Sequence, residues 1–375
     1  MKKLLLTCFA IAFSASASAA DFSDKYLEAK EALKAKTNID VGMSVSFIGQ
    51  RMAPDGKNTS VQSYYYPYLK YKPFTDTAFG SGQFAFTYEY IHYFGDDALT
   101  IRERSGAVTD INFYPDNFRA FDNFKYIHTM PGDMSWLSVV VGAYSLYSID
   151  GTAYTNDIQT GLINMSLSQS GTAAYSSKPG IMLNAQLGRG WNIMGGYADA
   201  QSTFGRDINF STMFGGRYLT FTALEYRPTI ENIGDGHYNV LGYHIDTVEG
   251  VRETTTGWSF NALQNFKEKY AVYARANGTN GEVSYTGINR SYALGFAYID
   301  PFERNPNDVI LLAGAFNQLP DTAPHKSETV LELAWVFGIT KMFTITPDFQ
   351  LYPNNGIGDN RMWKAAFGLR ATIFL

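Results

Sequence analysis

The final stretch of the chain alternates apolar and polar side chains with a period of two up to its last residue. The odd positions are all apolar: Trp363, Ala365, Phe367, Leu369, Ala371, Ile373 and Leu375. The even positions between them are small or polar, with the exception of Phe374. This period indicates a β-strand with one apolar face. Apolar side chains toward lipid and polar ones toward a wet lumen are typical of the closing strand of an outer-membrane β-barrel.

Alternating runs also occur through the rest of the chain. Clear examples are Ile39–Phe47, Phe84–Tyr90 and Thr329–Phe337, and Tyr218–Tyr226 is a less regular one. Turn residues such as Gly188-Arg189-Gly190 separate the runs. Together they predict an all-β protein, a transmembrane antiparallel β-barrel of about sixteen strands. The strands are predicted to begin near residues 39, 61, 83, 135, 160, 180, 191, 217, 236, 256, 268, 289, 308, 327, 341 and 363.

The chain opens with a predicted signal peptide, residues 1–20. Two lysines precede an apolar run, Leu4–Phe13, and residues 14–20 are Ser and Ala alone. That order is the one of a cleaved secretory leader. A lipoprotein signal ending at Cys8 is the alternative, and the apolar run that continues beyond this residue argues against it. Because Cys8 is the only cysteine, the mature chain would have no thiol for a disulfide or a metal site.

Residues 21–37 are predicted to form a short periplasmic helix, and residues 38–375 the barrel. Apolar residues recur at helical spacing in the first segment, namely Phe22, Tyr26, Ala29 and Leu33. Two interpretations stay open for this helix. Either it rests on the barrel mouth, or it acts as a plug or a coiled-coil oligomerisation arm. Its short length favours the first interpretation, because a coiled coil needs more turns.

Composition supports a barrel and argues against other classes. Aromatic residues make up 15% of the chain and charged residues 17%. A helical membrane protein would need runs of about 18 apolar residues, and none follows the leader. A barrel disperses its apolar residues by alternation and places Tyr and Phe in girdles at both membrane interfaces. The formal charge of −5 comes without basic clusters, so no nucleic-acid partner is expected.

Residues 95–134 form the longest predicted connection, on the outer side of the barrel. A connection of that length is usually functional or contains unrecognised strands. It mixes arginines and carboxylates with aromatic residues. One interpretation is a loop that folds into the lumen as a constriction, with Arg104 and Arg119 as its solute contacts. The other is a hairpin around Phe121–His128.

The carboxyl-terminal part of the chain carries a more specific pattern. It reads Glu328-Thr-Val-Leu-Glu332-Leu, Gly338-Ile-Thr, Ile345-Thr-Pro347-Asp348-Phe-Gln350, Pro353-Asn-Asn and Gly368-Leu-Arg370. This order resembles the end of the carbohydrate-selective porins of the OprB type. The chain departs from that family in lacking a Gly-Asp-Trp-Gly-Gly stretch near the mature amino terminus, and in ending on Leu375 instead of Phe. The resemblance implies a sixteen-stranded outer-membrane porin that passes monosaccharides.

The alternation also assigns charged side chains to the lumen. The predicted pore-lining residues are Glu89, Arg275, Glu332 and Arg370 on the strands, with Arg104 and Arg119 in the long connection. Charged groups make the stronger hydrogen bonds to sugar hydroxyls, and conduction needs contacts that are many and weak. These residues therefore suit a passive channel for small sugars or other hydrophilic solutes. Solvated lumen wall is the simpler alternative for each of them.

No cofactor, metal site or catalytic residue is predicted. His237 and His244 are seven positions apart, so on one strand they point to opposite faces. Asp96 and Asp97 keep a barrel enzyme acting at the outer leaflet as the alternative function, although a turn after Gly95 is the far more common reason for such residues. The prediction is an exported porin of the Gram-negative outer membrane, embedded in lipid as a monomer or a homotrimer.

Overall fold

The computed structural model describes residues 21–54, 59–109, 111, 112, 114, 116–155, 157–170, 177–201, 210–249, 253–280, 287–358 and 363–375. The predicted signal peptide, residues 1–20, lies outside these ranges. Within them, no helix has the length and apolar character needed to cross a membrane.

Antiparallel strands dominate the described residues and close into a ring. The strands are β1 Ile39–Ala53, β2 Thr59–Thr77, β3 Gly80–Tyr93, β4 Phe118–Thr129, β5 Leu137–Tyr144, β6 Lys178–Gly188, β7 Trp191–Asp199, β8 Tyr218–Tyr226, β9 Thr229–Ile230, β10 Gly234–Ile245, β11 Thr255–Phe266, β12 Tyr270–Thr279, β13 Arg290–Ile299, β14 Val309–Gln318, β15 Ser327–Gly338, β16 Phe343–Asn354 and β17 Lys364–Phe374. The two-residue β9 pairs with the start of β10 beside the ring. The other sixteen form the barrel, which closes where β1 pairs with β17. The predicted fold class is confirmed.

The predicted faces of the closing strand are confirmed by exposure. Phe367 and Leu369 are each 55% exposed, whereas Arg370 and Thr372 are fully buried. Exposed apolar side chains continue around the outside of the ring, among them Leu183, Val240, Leu294 and Leu312. The outer wall is therefore apolar, as a lipid-facing surface requires.

The two ends of the barrel differ in the length of their connections. One end holds short turns, such as residues 189–190 between β6 and β7 and 339–342 between β15 and β16. The other end holds long ones, above all residues 94–117 between β3 and β4 and 145–177 between β5 and β6. Outer-membrane barrels carry short turns on the periplasmic side. The long connections accordingly belong to the outer side.

Two details of the strand prediction are wrong, and they cancel in the strand count. No strand lies near residue 160. The described residues of 145–177 contain no strand but a 3-10 turn, Leu146–Ser148, and a short helix, α3, Met165–Ser168. Conversely, β4 runs through the predicted 95–134 connection and pairs with both β3 and β5. The Phe121–His128 region is thus one strand of a hairpin, and the outer connection shrinks to residues 94–117.

The amino-terminal helix, α1 (residues 21–37), lies against the end of the barrel that holds the short turns. The Ser23 hydroxyl is 3.1 Å from that of Thr340 in the turn between β15 and β16. The Lys30 ammonium donates to the main-chain oxygen of Leu375 at 3.0 Å and to the Tyr68 hydroxyl at 2.9 Å. These contacts place α1 across the seam between the first and last strands.

Candidate functional site: the occupied lumen

Two long connections fold back into the barrel. The first lumenal segment comprises the described residues of 94–117, which contain helix α2, Ala98–Ser105. The second lumenal segment comprises the described residues of 145–177, which contain α3. Both are fastened to the inner wall by buried polar side chains, and the wall residues that hold them come from strands far away in the chain.

The carboxylate of Glu328 on β15 fastens the first lumenal segment. It accepts hydrogen bonds from the main-chain nitrogens of Val108 at 2.6 Å and Thr109 at 2.8 Å, and from the Thr109 hydroxyl at 2.6 Å. A fourth bond comes from the nitrogen of Gly356 at 3.0 Å. Several main-chain donors around one anion stabilise its buried charge. Glu328 was not among the predicted residues.

Amide side chains hold the same segment further along. Gln50 on β1 and Gln350 on β16 each donate to the main-chain oxygen of Ile111, at 2.8 Å in both cases. Asn112 donates to the side-chain oxygen of Gln62 at 3.0 Å. The segment therefore spans from the β3–β4 side of the barrel to the seam.

Helix α2 lies near the outer end of β3 and explains the two acids considered for catalysis. Asp97 caps the helix by accepting from the nitrogen of Thr100 at 2.7 Å. Gly106 ends it with φ at 73°, a conformation that favours glycine. Asp96 forms an ion pair with Arg104 at 2.7 Å, and this arginine is half exposed. Both carboxylates thus have structural partners.

Arginines of the opposite wall fasten the second lumenal segment. Arg370 on β17 donates to the main-chain oxygens of Ile158 and of Gly161, the latter at 2.9 Å. Arg275 on β12 donates to the main-chain oxygen of Thr155 at 2.6 Å. Each guanidinium offers several donors in a fixed plane, which suits carbonyl groups of an irregular chain.

Glu332 on β15 provides the complementary acceptor. Its two carboxylate oxygens accept hydrogen bonds from the main-chain nitrogens of Ile163 at 2.6 Å and Asn164 at 3.0 Å. The side chain of Asn164 then donates to Gln350 at 3.1 Å and to Tyr352 at 2.6 Å. The segment is thereby tied to β15 and β16 through both its backbone and its side chains.

Gln159 in the second lumenal segment bridges the two strands that close the barrel. The Ser44 hydroxyl of β1 donates to its side-chain oxygen at 2.5 Å, and its side-chain nitrogen donates to Ser46 at 3.0 Å. On β17, the Thr372 hydroxyl donates to its main-chain oxygen at 3.4 Å. One residue of the segment therefore contacts both sides of the seam.

Apolar packing accompanies these hydrogen bonds. Ile158, Leu162 and Ile163 are buried in one cluster with small and aliphatic residues of the inner wall. The ring of Tyr154 lies 5.7 Å from that of Tyr273 on β12. On this side the lumen is packed like a protein interior, so the wall behind the segment is closed to solutes.

Three predicted pore-lining residues must be reassigned for this reason. Arg275, Glu332 and Arg370 do point inward, as the alternation predicted, but they are only 3%, 1% and 0% exposed. Their hydrogen-bonding capacity is directed to the second lumenal segment. They are anchors that position the segment, and they do not face the open lumen.

Glu89 keeps partial exposure to the lumen. It accepts from the Tyr64 hydroxyl at 3.3 Å, and this hydroxyl is 3.4 Å from that of Tyr114. Burial raises the pKa of Tyr114 well above its usual range, so its hydroxyl stays protonated. Nearby, Asp122 accepts from the Tyr66 hydroxyl at 2.5 Å. Carboxylates and tyrosines therefore surround this part of the lumen.

Arg119 lies on the outer wall, not in the lumen. It is exposed and stands opposite Tyr90, an outward-facing residue of β3. The next residue, Ala120, is buried opposite Glu89 and occupies the inward position. The structure therefore does not bring Arg119 to the lumen, because this residue lies on strand β4 and the alternation of that strand directs it outward.

The sequence profile of the carbohydrate-selective porin, OprB family matches residues 78–375. This chain belongs to that family. The porin is 34% identical over 303 residues to Porin AaxA of Chlamydia trachomatis serovar L2, which covers 80% of this chain. That match spans 65% of the length of the chlamydial protein. Porin AaxA of Chlamydia abortus is 29% identical over 355 residues, 91% of this chain and 78% of its own length.

Solved structures show the same fold for the porin. OprB of Pseudomonas putida in its high-pH structure has a TM-score of 0.77 and covers 93% of this chain and 97% of its own, at 12% identity. A mutant of the Rh. blastica porin has a TM-score of 0.53, and the match covers 90% of this chain and 100% of the Rh. blastica chain. At these identities the likeness concerns the barrel alone.

Sequence reasoning missed the second lumenal segment of the porin entirely. Its apolar residues resemble a strand, and its anchors lie more than a hundred positions away. A useful signal was available in the lack of clean alternation between Ile158 and Met165. Among the described residues, no group of three His, Cys, Asp or Glu side chains lies close enough to hold a metal ion.

Proposed function

We propose that this porin is a passive channel of the outer membrane for small hydrophilic solutes, with carbohydrates as its main class. The observation that carries the proposal is a closed barrel whose lumen is narrowed by two segments with fully formed wall contacts. Such segments leave a fixed polar passage rather than a hinged site. The name of the family and the names of the related porins support the same function.

The passage is proposed to be set mainly by the second lumenal segment, with the first one beside it. Glu89, Asp122 and Tyr66 line its partly exposed side, and Tyr154 adds an aromatic face from the second segment. Carboxylates and hydroxyls bind sugar hydroxyls, and rings contact sugar faces. Arg104 sits near the outer mouth, where its half-exposed side chain can contact solutes before they reach the narrow part.

The proposal is tested by swelling of liposomes that contain the purified protein. Pentoses and hexoses are expected to enter faster than disaccharides, because a narrow polar passage selects by size. Equal swelling rates for liposomes with the protein and liposomes without it would contradict the proposed channel. Equal rates for amino acids and sugars of the same mass would contradict the preference for carbohydrates.

The location in the outer membrane and the removal of residues 1–20 belong to the same proposal. The apolar outer wall supports the first, and the leader pattern supports the second. Amino-terminal sequencing of protein from the outer-membrane fraction is expected to begin at Asp21 or one residue earlier. We do not propose the barrel enzyme, because Asp96 pairs with Arg104 and Asp97 caps α2.

A further inference from the structure

A polar cleft opens at the outer rim, where β12, β13 and β14 meet the outer connections. Its volume is about 390 Å³. The residues that matter for a ligand are Thr279, Asn289, Arg290, Gln318, Leu319 and Lys326. The volume lies at the small end of the range of small-molecule sites, which is about 300–1,000 Å³. The cleft therefore suits a solute of a single ring.

The side chains of Asn289 and Arg290 offer the hydrogen-bonding groups of the cleft, since its backbone is already bonded. The main-chain nitrogen of Asn289 already donates to the oxygen of Gln318 at 2.9 Å. The side-chain oxygen of Asn289, however, is buried and has no hydrogen-bond partner among the described residues. Arg290 is exposed at the start of β13 and lines the cleft. Lys326 pairs with Asp321 at 2.6 Å.

Below the cleft, the inner wall continues as a row of buried polar residues. Asn277 on β12 stands opposite Ser291 on β13, which stands opposite Asn317 on β14. All three are at most 1% exposed. Both polar atoms of the Asn277 side chain, the Ser291 hydroxyl and the Asn317 side-chain oxygen have no partner among the described residues. Buried polar atoms are normally hydrogen-bonded, by ordered water where no protein group is near, so this row continues the polar character of the cleft toward the lumen.

The cleft also has an apolar floor. Leu319 is 5% exposed and packs in a cluster with Val108, Met165 and Ile288. A ring with hydroxyls at its edge and C–H groups on its face would contact both kinds of surface. Val108 and Met165 belong to the two lumenal segments, so the floor of the cleft is directly connected to the narrow part of the barrel.

We propose that this outer cleft is a capture site for a neutral, polyhydroxylated solute of one ring, held before it reaches the lumen. The amides of Asn289 and Gln318 each offer both donors and acceptors, which matches a hydroxyl group that also does both. The Asp321–Lys326 pair cancels its own charge and leaves Arg290 as a donor. This site deepens the sugar channel proposed above and rests on it.

The test uses full-length protein in detergent, with glucose as the probe and its dissociation constant measured by saturation-transfer NMR. Asn289→Ala and Gln318→Ala are each expected to weaken glucose binding by about 3- to 10-fold, the loss of one hydrogen bond. Thr254→Ala, at another outer connection, is the matched control and should leave the affinity unchanged. The ion conductance of Thr254→Ala in KCl should stay that of the parent.

An unchanged glucose affinity in both cleft variants would overturn the proposal. Binding of gluconate without binding of glucose would also overturn it, because the ligand would then be an anion at Arg290. If Asn289→Ala does not assemble, the glucose affinity of Arg290→Gln is measured in its place, because Arg290 is exposed. A weaker affinity is again the expected result. Liposome swelling separates this proposal from the channel. If the parent takes up sugar but the cleft variants keep its glucose affinity, the cleft proposal alone is contradicted. If the parent takes up no sugar but the cleft variants lose glucose affinity, the channel proposal alone is contradicted.

Discussion

Arg370 on the closing strand donates to the main-chain oxygen of Gly161, 2.9 Å away in space and 209 residues earlier in the chain. The same guanidinium also bonds the oxygen of Ile158. A charge that alternation places toward the lumen is thus used to hold a piece of chain there. Anchors of this kind fix the position of the second lumenal segment inside the ring.

Replacement of Arg370 by Met should widen and loosen the passage without preventing assembly. The variant keeps an apolar stem of similar length but leaves two buried carbonyls without a hydrogen-bond donor. Each loss destabilises the docked segment by about 1–3 kcal/mol. Single-channel recordings are expected to show a higher and noisier conductance. Arg119→Met, on the outer wall, is the control and should behave like the parent. An unchanged conductance for Arg370→Met would show that the second lumenal segment does not need this anchor.

Glu328→Gln should loosen the first lumenal segment. The carboxylate receives four hydrogen bonds, and an amide has one acceptor oxygen in their place. We expect the heat-modifiable band of the folded barrel to convert at a lower temperature, with a loss of about 2–3 kcal/mol in stability. Glu303→Gln, in an exposed turn, is the comparison and should not move the transition. Identical transitions for both variants would rule out the anchoring role.

Leu369→Arg should reduce the amount of assembled barrel. This residue lies in the middle of β17 on the lipid face, where a cation costs about 2–4 kcal/mol at the midplane. Leu369→Met is the control, since it keeps an apolar side chain of similar volume. Folded protein in the outer-membrane fraction is the measurement. Similar yields of both variants would mean that this face does not meet lipid.

Lys30→Met should weaken the contact between α1 and the seam. The ammonium loses its bonds to the Leu375 oxygen and the Tyr68 hydroxyl, and a partly buried bond of this kind contributes about 0.5–1.5 kcal/mol. A small decrease in the unfolding temperature is expected, with normal conductance. Lys36→Met, on an exposed part of the same helix, is the reference. A large change in conductance would instead favour α1 as a plug.

Alternation predicted the barrel and the inward face of Arg275, Glu332 and Arg370, because a strand side chain can point only to one of two faces. It could not predict their burial. Burial depends on a segment whose own residues have no regular period and whose contacts span most of the chain. Alternation left β4 open between a loop and a hairpin for a related reason, since Asp122 interrupts its alternation where the pairing with β3 shifts register.

Gln159 contacts β1 and β17 at once, and this has a consequence for the order of assembly. The two strands are the first and the last to be synthesised, so the site that receives Gln159 does not exist until the ring is complete. Its docking is therefore a late event that reports closure. An incompletely closed ring would leave the second lumenal segment undocked and prone to proteolysis, which makes cleavage within residues 157–170 a kinetic marker of unfinished barrels.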